Sequence, residues 1–261
     1  MTHETPHSPD ITWEPDVRYE GDYPDFATAL SASNGYQSAV ILERTRLALH
    51  KVLRGEAAYE RDAVTFDHLE LPYPLLTQLL KTAATANGRL SVLDFGGSLG
   101  STYFQCRSFL QGLPQLEWSI VEQPAHVACG QREFQDDTLK FYPTIDSCMA
   151  ARRPNLLLLS GVLQCLPEPW SFFQDVTARE FETIVIDRTP FIDSDQDRLT
   201  VEIVSPRIYP ASYPAWFFSR RHFDKRIPEG WTITNEFPAL DRQLLDGIEI
   251  VYRGFGITRT R

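Results

Sequence analysis

The sequence lacks three features that would assign it to a special class of protein. Its 261 residues include only four cysteines, and none of them shows the C-x-x-C spacing of zinc or redox motifs. No apolar run approaches the ~18 residues of a membrane span, so no membrane span is predicted. The polar N-terminus contains no apolar stretch of a secretory signal, and we therefore expect a cytoplasmic protein.

A surplus of basic residues is also absent. Lys and Arg total 25 whereas Asp and Glu total 35, which gives a formal net charge of −10. Proteins that bind nucleic acid usually carry a positive surface, so this balance disfavours nucleic acid as a partner. The remaining composition, 43% hydrophobic and 23% charged, is ordinary for a globular protein with a large core. The sequence leaves the oligomeric state open.

The first 88 residues are predicted to form an arm and a helical extension. Prolines interrupt residues 1–34, whereas Trp13 and Tyr19 supply apolar anchors there. Residues 37–54 and 74–86 carry apolar side chains at helical spacing and are followed by glycines. We therefore predict two helices in this extension, and a second domain over residues 89–261.

From residue 89 onward, short apolar runs alternate with segments of helical length. The predicted strands are 90–95, 118–121, 139–142, 156–159 and 183–186, and the predicted helices are 100–110, 124–134, 145–151 and 169–177. This alternation predicts an α/β fold with a doubly wound parallel sheet. Residues 232–237 and 248–255 are predicted to add an antiparallel hairpin at its edge, for about seven strands in all.

A proline-rich segment, residues 188–230, is too long for a simple crossover between strands. Long connections in compact domains are often binding lids. We therefore predict that this segment is an insertion between strands five and six that caps the sheet, and that Tyr209, Tyr213 and Trp216 line an acceptor site.

The most informative segment is residues 92–100 (VLDFGGSLG), where a predicted strand ends in a glycine-rich turn that opens a helix. Such a turn presents backbone N–H groups and the positive end of a helix dipole to an anionic group. The dinucleotide pattern G-x-G-x-x-G is not met, because Ser98 replaces its second glycine, and Asp94 would repel a pyrophosphate. Asp94 suits instead the cationic groups of S-adenosylmethionine, whose carboxylate suits the helix N-terminus.

Binding of S-adenosylmethionine also gives Glu122 a role. An acid is expected at the tip of the second strand to bind the ribose hydroxyls, and Glu122 follows the predicted strand 118–121. Gln164 follows the fourth strand, near the point where the strand order should reverse. The expected cofactor-binding residues are Asp94, Gly96, Gly97, Ser98, Gly100, Glu122, Gln123 and Gln164.

A serine hydrolase is an alternative that the same turn suggests. Residues 96–100 match G-x-S-x-G around Ser98, and Asp187 and His222 follow in the chain order of a Ser–Asp–His triad. Against this alternative, the hydrolase fold places several strands before the serine, whereas residues 1–89 look helical or irregular. A tight turn without any ligand is the third possibility.

Four segments of the chain resemble class I S-adenosylmethionine-dependent methyltransferases: VLDFGGSLG, VEQ, LLLLSGVLQCL and VIDRTPF. The combination of VLDFGGSLGSTYFQ, IDRTPF and SYPAWFFS resembles a narrower family of bacterial methyltransferase-like proteins, which are often encoded among surface-polysaccharide genes. The resemblance covers roughly residues 13–257. One departure from the broader pattern is Ser98, which replaces the usual middle glycine.

This resemblance implies a Rossmann-like fold and S-adenosyl-L-methionine as cofactor. It implies methyl transfer to a small-molecule or glycan acceptor, and a hydroxyl is the expected acceptor group. The alternative within the same fold is a non-catalytic protein that binds a nucleoside or a partner.

Three further residues are candidates for the reaction itself. Asp187, at the end of the fifth predicted strand, and His222 are the expected bases for a hydroxyl acceptor. Arg188 is expected to hold an anionic group with its two-pronged guanidinium.

An acidic run, residues 193–197, imitates the start of a calcium-binding loop. Arg198 and Val204 occupy the positions where such a loop needs glycine and glutamate, so no metal site is predicted.

Overall fold

The computed structural model describes residues 17–35 and 38–260, without the side chain of Ser38. Part of the predicted N-terminal arm, including Trp13, lies outside the described residues. The strands are β1 (Val17–Glu20), β2 (Tyr59–Arg61), β3 (Val64–Phe66), β4 (Arg89–Phe95), β5 (Gln115–Val121), β6 (Leu139–Tyr142), β7 (Leu156–Ser160), β8 (Thr183–Ile192), β9 (Arg198–Val204), β10 (Ala211–Ser219), β11 (Trp231–Leu245) and β12 (Ile248–Arg259). The helices are α1 (Phe26–Ser31), α2 (Ser38–Leu53), α3 (Tyr73–Thr85), α4 (Ser101–Leu110), α5 (Pro124–Glu133), α6 (Ile145–Ala151), α7 (Pro169–Thr177) and α8 (Arg220–Phe223).

Five parallel strands form the centre of the main sheet, in the order β6–β5–β4–β7–β8. The chain runs outward from β4 to β6 and then returns to β7 on the other side of β4. This reversal is the switch point of a doubly wound sheet. β12 pairs antiparallel with β8, and β11 with β12. The predicted α/β class, with a doubly wound parallel sheet and an antiparallel hairpin, is confirmed.

Helices cover both faces of this sheet because successive side chains of each central strand point to opposite faces. Leu156 and Leu158 of β7 belong to a buried cluster with residues of α3 and α4. Leu157 and Leu159 of the same strand belong to a second buried cluster with Phe173 of α7. The central strands therefore read as nearly continuous apolar runs in the sequence. None of the helices within the described ranges is long and apolar enough to cross a bilayer.

Residues 188–230, predicted as a cap insertion between strands five and six, contain strands that the sequence analysis did not predict. β8 continues to Ile192, and β9 and β10 then form an antiparallel hairpin that β1 extends on its outer side. The end of β10 also pairs with the end of β8, so the described residues join ten strands in one sheet, where about seven were predicted. Pro206 and Pro210 lie in the connection between β9 and β10 and do not interrupt either strand.

The edge hairpin is longer than the sequence predicts. β11 continues to Leu245, and a two-residue turn of Asp246 and Gly247 leads directly into β12. Both turn residues have positive φ, 51° and 77°. An Asp-Gly pair with this conformation is a preferred tight turn between antiparallel strands.

Candidate functional site

A cavity of about 710 Å³ lies at the carboxyl ends of β4, β5, β7 and β8, beside the switch point. Ligands of open α/β sheets bind at this position. We call the part lined by the turns after β4, β5 and β7 the loop half. The remaining part is the hairpin half, which is lined by side chains of β1, β9, β10 and β12 and of the segments packed beside them, among them Phe26, Ile41, Arg61, Arg188, Ile208 and Tyr209. The two halves are one continuous cavity, so groups bound in them can meet.

The glycine-rich turn after β4 forms one wall of the loop half. Gly96 and Ser98 line the cavity with φ of 71° and 53°, in the left-handed region. A Cβ atom on Gly96 would lie 2.4 Å from Val162 Cγ2 in the turn after β7. Gly96 therefore allows the two turns to pack closely at the switch point. Ser98 keeps the same backbone conformation although it carries a side chain.

Gly100 has a structural place instead of the predicted contact with a ligand. It caps the N-terminus of α4 with φ of 102° and is not among the residues that line the cavity. A Cβ atom there would lie 3.3 Å from Phe104 and 3.4 Å from Ile120. Gly100 therefore brings α4 close to the sheet.

Asp94 lies under the glycine turn, at the end of β4, and is 1% exposed. Its Oδ2 atom accepts a hydrogen bond of 3.1 Å from Nε1 of the buried Trp118. Burial raises the pKa of Asp94 to about 7, and the hydrogen bond from Trp118 opposes that rise. A cation bound nearby would favour the charged form of this carboxyl group.

We expect Trp118→Phe to destabilise the protein most strongly at high pH. Asp94 loses its donor in this variant, so its folded-state pKa rises above about 7. The carboxyl group is neutral at pH 5.5 in both proteins, and the extra loss of about 1–2 kcal/mol appears only above pH 7. Urea denaturation at pH 5.5 and 8.5 measures it. Trp231→Phe is the matched control, because Trp231 Nε1 donates to the Thr177 carbonyl oxygen, and its cost should not depend on pH.

Glu122 stands at the end of β5, beside the turn that carries Asp94. Its Oε2 atom accepts a hydrogen bond of 2.6 Å from the backbone N–H of Gln123, and both residues line the cavity. His126, on the first turn of α5, lies 3.9 Å from the same oxygen through its Nδ1 atom. That buried nitrogen has no hydrogen-bond partner among the described residues. Glu122 is therefore held at the cavity wall with a polar neighbour behind it.

Gln164 has an amide oxygen that accepts no hydrogen bond from the described residues. Its Nε2 atom donates to the Arg188 carbonyl oxygen at 3.3 Å, which fixes the orientation of the side chain. Its Oε1 atom is buried without a partner, although Gln164 lines the cavity. A buried carbonyl oxygen without a donor is costly, so this atom suits an N–H or O–H group of a ligand.

Asp187 and His222, the two predicted bases, do not line the cavity. Asp187 is buried behind the turn after β7, where its Oδ2 atom accepts a hydrogen bond of 3.1 Å from Ser160. His222 lies on the short helix α8, whose Phe223 is packed in the core against Phe255. The Ser98–Asp187–His222 arrangement of a hydrolase is therefore not assembled.

Arg188 lines the cavity, but its guanidinium is already engaged. Its Nε and Nη2 atoms donate to the two carboxylate oxygens of Asp241 at 2.9 and 3.0 Å. Nη2 also donates to Asp62, in the turn between β2 and β3, at 2.6 Å. Its Nε and Nη2 atoms are therefore committed to carboxylates of the protein itself, and the predicted role of holding an anionic ligand stays a prediction.

The three aromatic residues predicted to form a lid have different places. Tyr209 and Tyr213 line the hairpin half of the cavity. Trp216 does not, because its Nε1 atom donates to the Leu166 carbonyl oxygen at 3.1 Å and its ring packs in the core. Strand β10 therefore lies where a lid was predicted, and Tyr213 lines the cavity whereas Trp216 of the same strand does not.

Sequence reasoning missed Glu202, at the centre of the hairpin half. Strand pairing places it directly between Tyr19 of β1 and Tyr213 of β10. Its Oε1 atom accepts a hydrogen bond of 2.9 Å from the Tyr213 hydroxyl. Burial raises the pKa of Glu202 to about 7. The alternation of apolar and other residues in RLTVEIV was a signal for this strand, with Glu202 and Val204 on one face.

A pair of tyrosines completes this wall. The hydroxyl groups of Tyr19 and Tyr252, from β1 and β12, lie 2.8 Å apart and line the cavity. Burial raises the pKa of Tyr252 above its ordinary value and does the same for Tyr19, so both stay protonated at neutral pH. The hairpin half therefore combines hydroxyl donors with the carboxylate of Glu202.

No protein-family model matches the sequence, and no curated protein matches it significantly. Solved structures do resemble it. The N-terminal domain of EvdMO1 with S-adenosylhomocysteine bound is 13% identical, with a TM-score of 0.44 over 70% of this chain and 81% of that domain. Magnesium protoporphyrin IX methyltransferase from Synechocystis PCC 6803, with bound S-adenosylmethionine, is 12% identical, with a TM-score of 0.45 over 72% and 79%.

A third structure resembles the whole chain. It is 1,6-didemethyltoxoflavin-N1-methyltransferase from Burkholderia thailandensis, with 1,6-didemethyltoxoflavin and S-adenosylhomocysteine bound. The two chains are 13% identical, with a TM-score of 0.44 and coverage of 99% and 100%.

The acidic run that imitates a calcium loop is used in contacts within the protein. Asp193 and Asp195 both pair with Arg221, at 2.5 and 3.1 Å. Asp197 accepts hydrogen bonds from the Ser219 backbone N–H at 2.8 Å and from Trp170 Nε1 at 2.7 Å. Within residues 17–35 and 38–260, no group of three or more side chains is arranged to hold a metal ion.

Proposed function

We propose that this protein is an enzyme that transfers a methyl group from S-adenosylmethionine to a small-molecule or glycan acceptor. The observation that carries the proposal is the cavity at the switch point. In its loop half, a glycine-rich turn, a strand-end acid and an unpartnered amide oxygen face the same space. That space continues into the hairpin half, where an acceptor can lie beside the reacting group.

The residues of the loop half fit the parts of S-adenosylmethionine. The N-terminus of α4 and the turn at Gly96 suit a carboxylate, while Asp94 favours the positive charges at the same end of the molecule. Glu122 is placed to accept hydrogen bonds from ribose hydroxyls. The free Oε1 atom of Gln164 would accept an N–H or O–H donor. When bound, the cofactor supplies a methyl group activated by a sulfonium centre.

The protein itself contributes position and exclusion of water. Apolar side chains, among them Phe26, Ile41, Val204 and Ile208, line the hairpin half. They keep water from competing with the acceptor, and the walls hold the acceptor in line with the reacting methyl group. The resemblance of the sequence to proteins encoded among surface-polysaccharide genes supports a glycan as acceptor, and a hydroxyl as the group that is methylated.

Calorimetric and thermal titrations test the cofactor directly. S-adenosylmethionine and S-adenosylhomocysteine should each bind and raise the melting temperature, whereas NAD should not. A ligand at about 100 times its Kd adds ~2.7 kcal/mol of stability, which corresponds to several degrees for a chain of this size.

Two variants connect this binding to the loop half. Glu122→Ala should weaken binding of S-adenosylhomocysteine about 10- to 100-fold, because charge-assisted hydrogen bonds are lost. Glu117→Ala is the control, since Glu117 lies on the same strand but bonds Ser91 and does not line the cavity. Absence of binding at millimolar ligand, or equal stabilisation by NAD, would refute the proposed function.

A further inference from the structure

We infer that Glu202 is the general base that removes a proton from a neutral hydroxyl acceptor bound in the hairpin half, and that Tyr213 positions its carboxylate. This inference rests on the methyl transfer proposed above. It assigns the chemical step to a residue on β9, in place of the two bases that the sequence suggested.

The geometry of β9 places Glu202 where a bound acceptor can reach it. Glu202 lines the cavity, and its paired neighbours on both sides, Tyr19 and Tyr213, line it as well. The 2.9 Å hydrogen bond from Tyr213 occupies one lone pair of Oε1. A carboxylate offers about four lone-pair sites, so capacity to accept a further proton remains.

The pKa of Glu202 depends on its burial and on charged and hydrogen-bonding groups from several surrounding elements. The titratable or charged groups that act on it or on its neighbours in the hairpin half are Tyr19, Asp62, Cys165, Arg188, Tyr209, Tyr213, Asp241 and Tyr252. Burial is the largest influence and raises the pKa of Glu202 to about 7; Asp62 acts in the same direction, whereas Tyr213 and Arg188 oppose it. A base with a pKa near the working pH is both ionised in part and able to hold a proton.

The charges of the hairpin half indicate a neutral acceptor. Both arginines among its described residues are engaged: Arg188 with Asp241 and Asp62, and Arg61 with Gln105 and, at 4.0 Å, with Asp241. These two arginines balance the charges of Asp62 and Asp241, so the third carboxylate, Glu202, would repel a phosphate or carboxylate group. A cationic acceptor would instead be placed beside the sulfonium of the cofactor and repelled by it. A hydroxyl-bearing neutral molecule meets neither obstacle.

The proposed step balances as a displacement assisted by a base. The acceptor oxygen forms a bond to the methyl carbon as its proton passes to a carboxylate oxygen of Glu202. The bond between that carbon and sulfur breaks, and its electron pair stays on sulfur. The products are a methyl ether, S-adenosylhomocysteine and protonated Glu202, which returns its proton to water after product release.

A transfer assay with defined probes tests this assignment. The probes are methyl α-glucoside and glycerol as hydroxyl acceptors, with glucosamine and 2-amino-1,3-propanediol as matched amines. S-adenosylmethionine with a deuterated methyl group labels the product for mass spectrometry. The proteins are the wild type, Glu202→Gln, Tyr213→Phe and the surface control Glu249→Gln. Calorimetry with S-adenosylhomocysteine is run on each of them.

We expect methylation of hydroxyl oxygens by the wild type, with a rate that falls below about pH 7 as Glu202 becomes protonated. Glu202→Gln should be at least about 100-fold slower, without this acid limb, and should bind S-adenosylhomocysteine within about twofold of the wild type. Tyr213→Phe should move the acid limb to higher pH, because the carboxylate loses a donor. Glu249→Gln should behave like the wild type.

Three outcomes would overturn the inference while leaving cofactor binding intact. They are an unchanged rate and pH profile in Glu202→Gln, methylation of the amines only, and no methylated hydroxyl probe from a wild type that binds the cofactor. A wild type that binds neither S-adenosylmethionine nor S-adenosylhomocysteine would overturn the proposed function, and this inference with it.

Discussion

Replacing Gly97 with alanine is expected to weaken binding of S-adenosylhomocysteine by more than about 100-fold, equivalent to ~2.7 kcal/mol. The added Cβ atom would lie 2.5 Å from Cγ of Asp94 and 2.6 Å from its Oδ2 atom. Asp94 is buried and bonded to Trp118, so it has no space to turn away. The glycine turn has to move instead, and it takes its backbone N–H groups out of position.

Gly112→Ala is the matched control for this variant. Nothing lies within 4 Å of a Cβ atom built on Gly112, and like Gly97 it does not have a positive φ. The comparison therefore isolates the steric effect at residue 97 from the general effect of a methyl group. Calorimetry measures the affinity, and circular dichroism shows that both variants are folded. Wild-type affinity in a folded Gly97→Ala protein would mean that the glycine turn does not hold the ligand.

The parts of the fold that the sequence predicts are those whose signals are local. The helices Ile145–Ala151 and Pro169–Thr177 have the predicted bounds, because a Pro or a capping Thr marks each start. The central strands, such as Leu156–Ser160, were predicted because burial on both faces makes them continuously apolar. The glycine turn at Gly96 was likewise recognised from a short segment, and the structure places it on the wall of the cavity.

What the sequence does not predict depends on pairing between distant segments. Tyr19, Glu202 and Tyr213 meet only because β1 and β10 pair with opposite sides of β9. These strands were not predicted because prolines lie around them and proline usually ends a strand. Two of these prolines, however, lie in the connection between β9 and β10. His222 was chosen for its chemistry alone, and only the packing of α8 shows that it does not line the cavity.

Arg188→Met is expected to destabilise the protein by about 3 kcal/mol. The Arg188 side chain is only 15% exposed and donates to both oxygens of Asp241, which is 19% exposed. Removing Arg188 leaves the charge of Asp241 largely buried, with only Arg61 of the described residues, 4.0 Å away, still facing it. A second replacement, Asp241→Leu, should restore most of the lost stability, because it removes that charge. Denaturation in urea measures all three proteins.

The pH dependence of this loss follows from the pKa of Asp241. Burial alone would raise that pKa, but the charge and hydrogen bonds of Arg188 hold it below its usual value. In the wild type, Asp241 therefore contributes stability above about pH 4 that is lost only in stronger acid. Without Arg188, burial raises the folded-state pKa of Asp241 and the sign of its contribution reverses, so the stability lost in Arg188→Met relative to the wild type should be smaller at pH 5 than at pH 8.

Arg221→Met provides the contrasting surface case. Arg221 pairs with Asp193 and Asp195, but its side chain is 52% exposed and both acids are more exposed still. Water and salt screen such pairs, so we expect little change in stability at either pH. If Arg188→Met were as mild as Arg221→Met, or if its cost relative to the wild type did not fall between pH 8 and pH 5, then Asp241 would not depend on Arg188 for its charge. Arg188 would then be a cation available to an anionic ligand, against the neutral acceptor inferred from the ion pairs of the hairpin half.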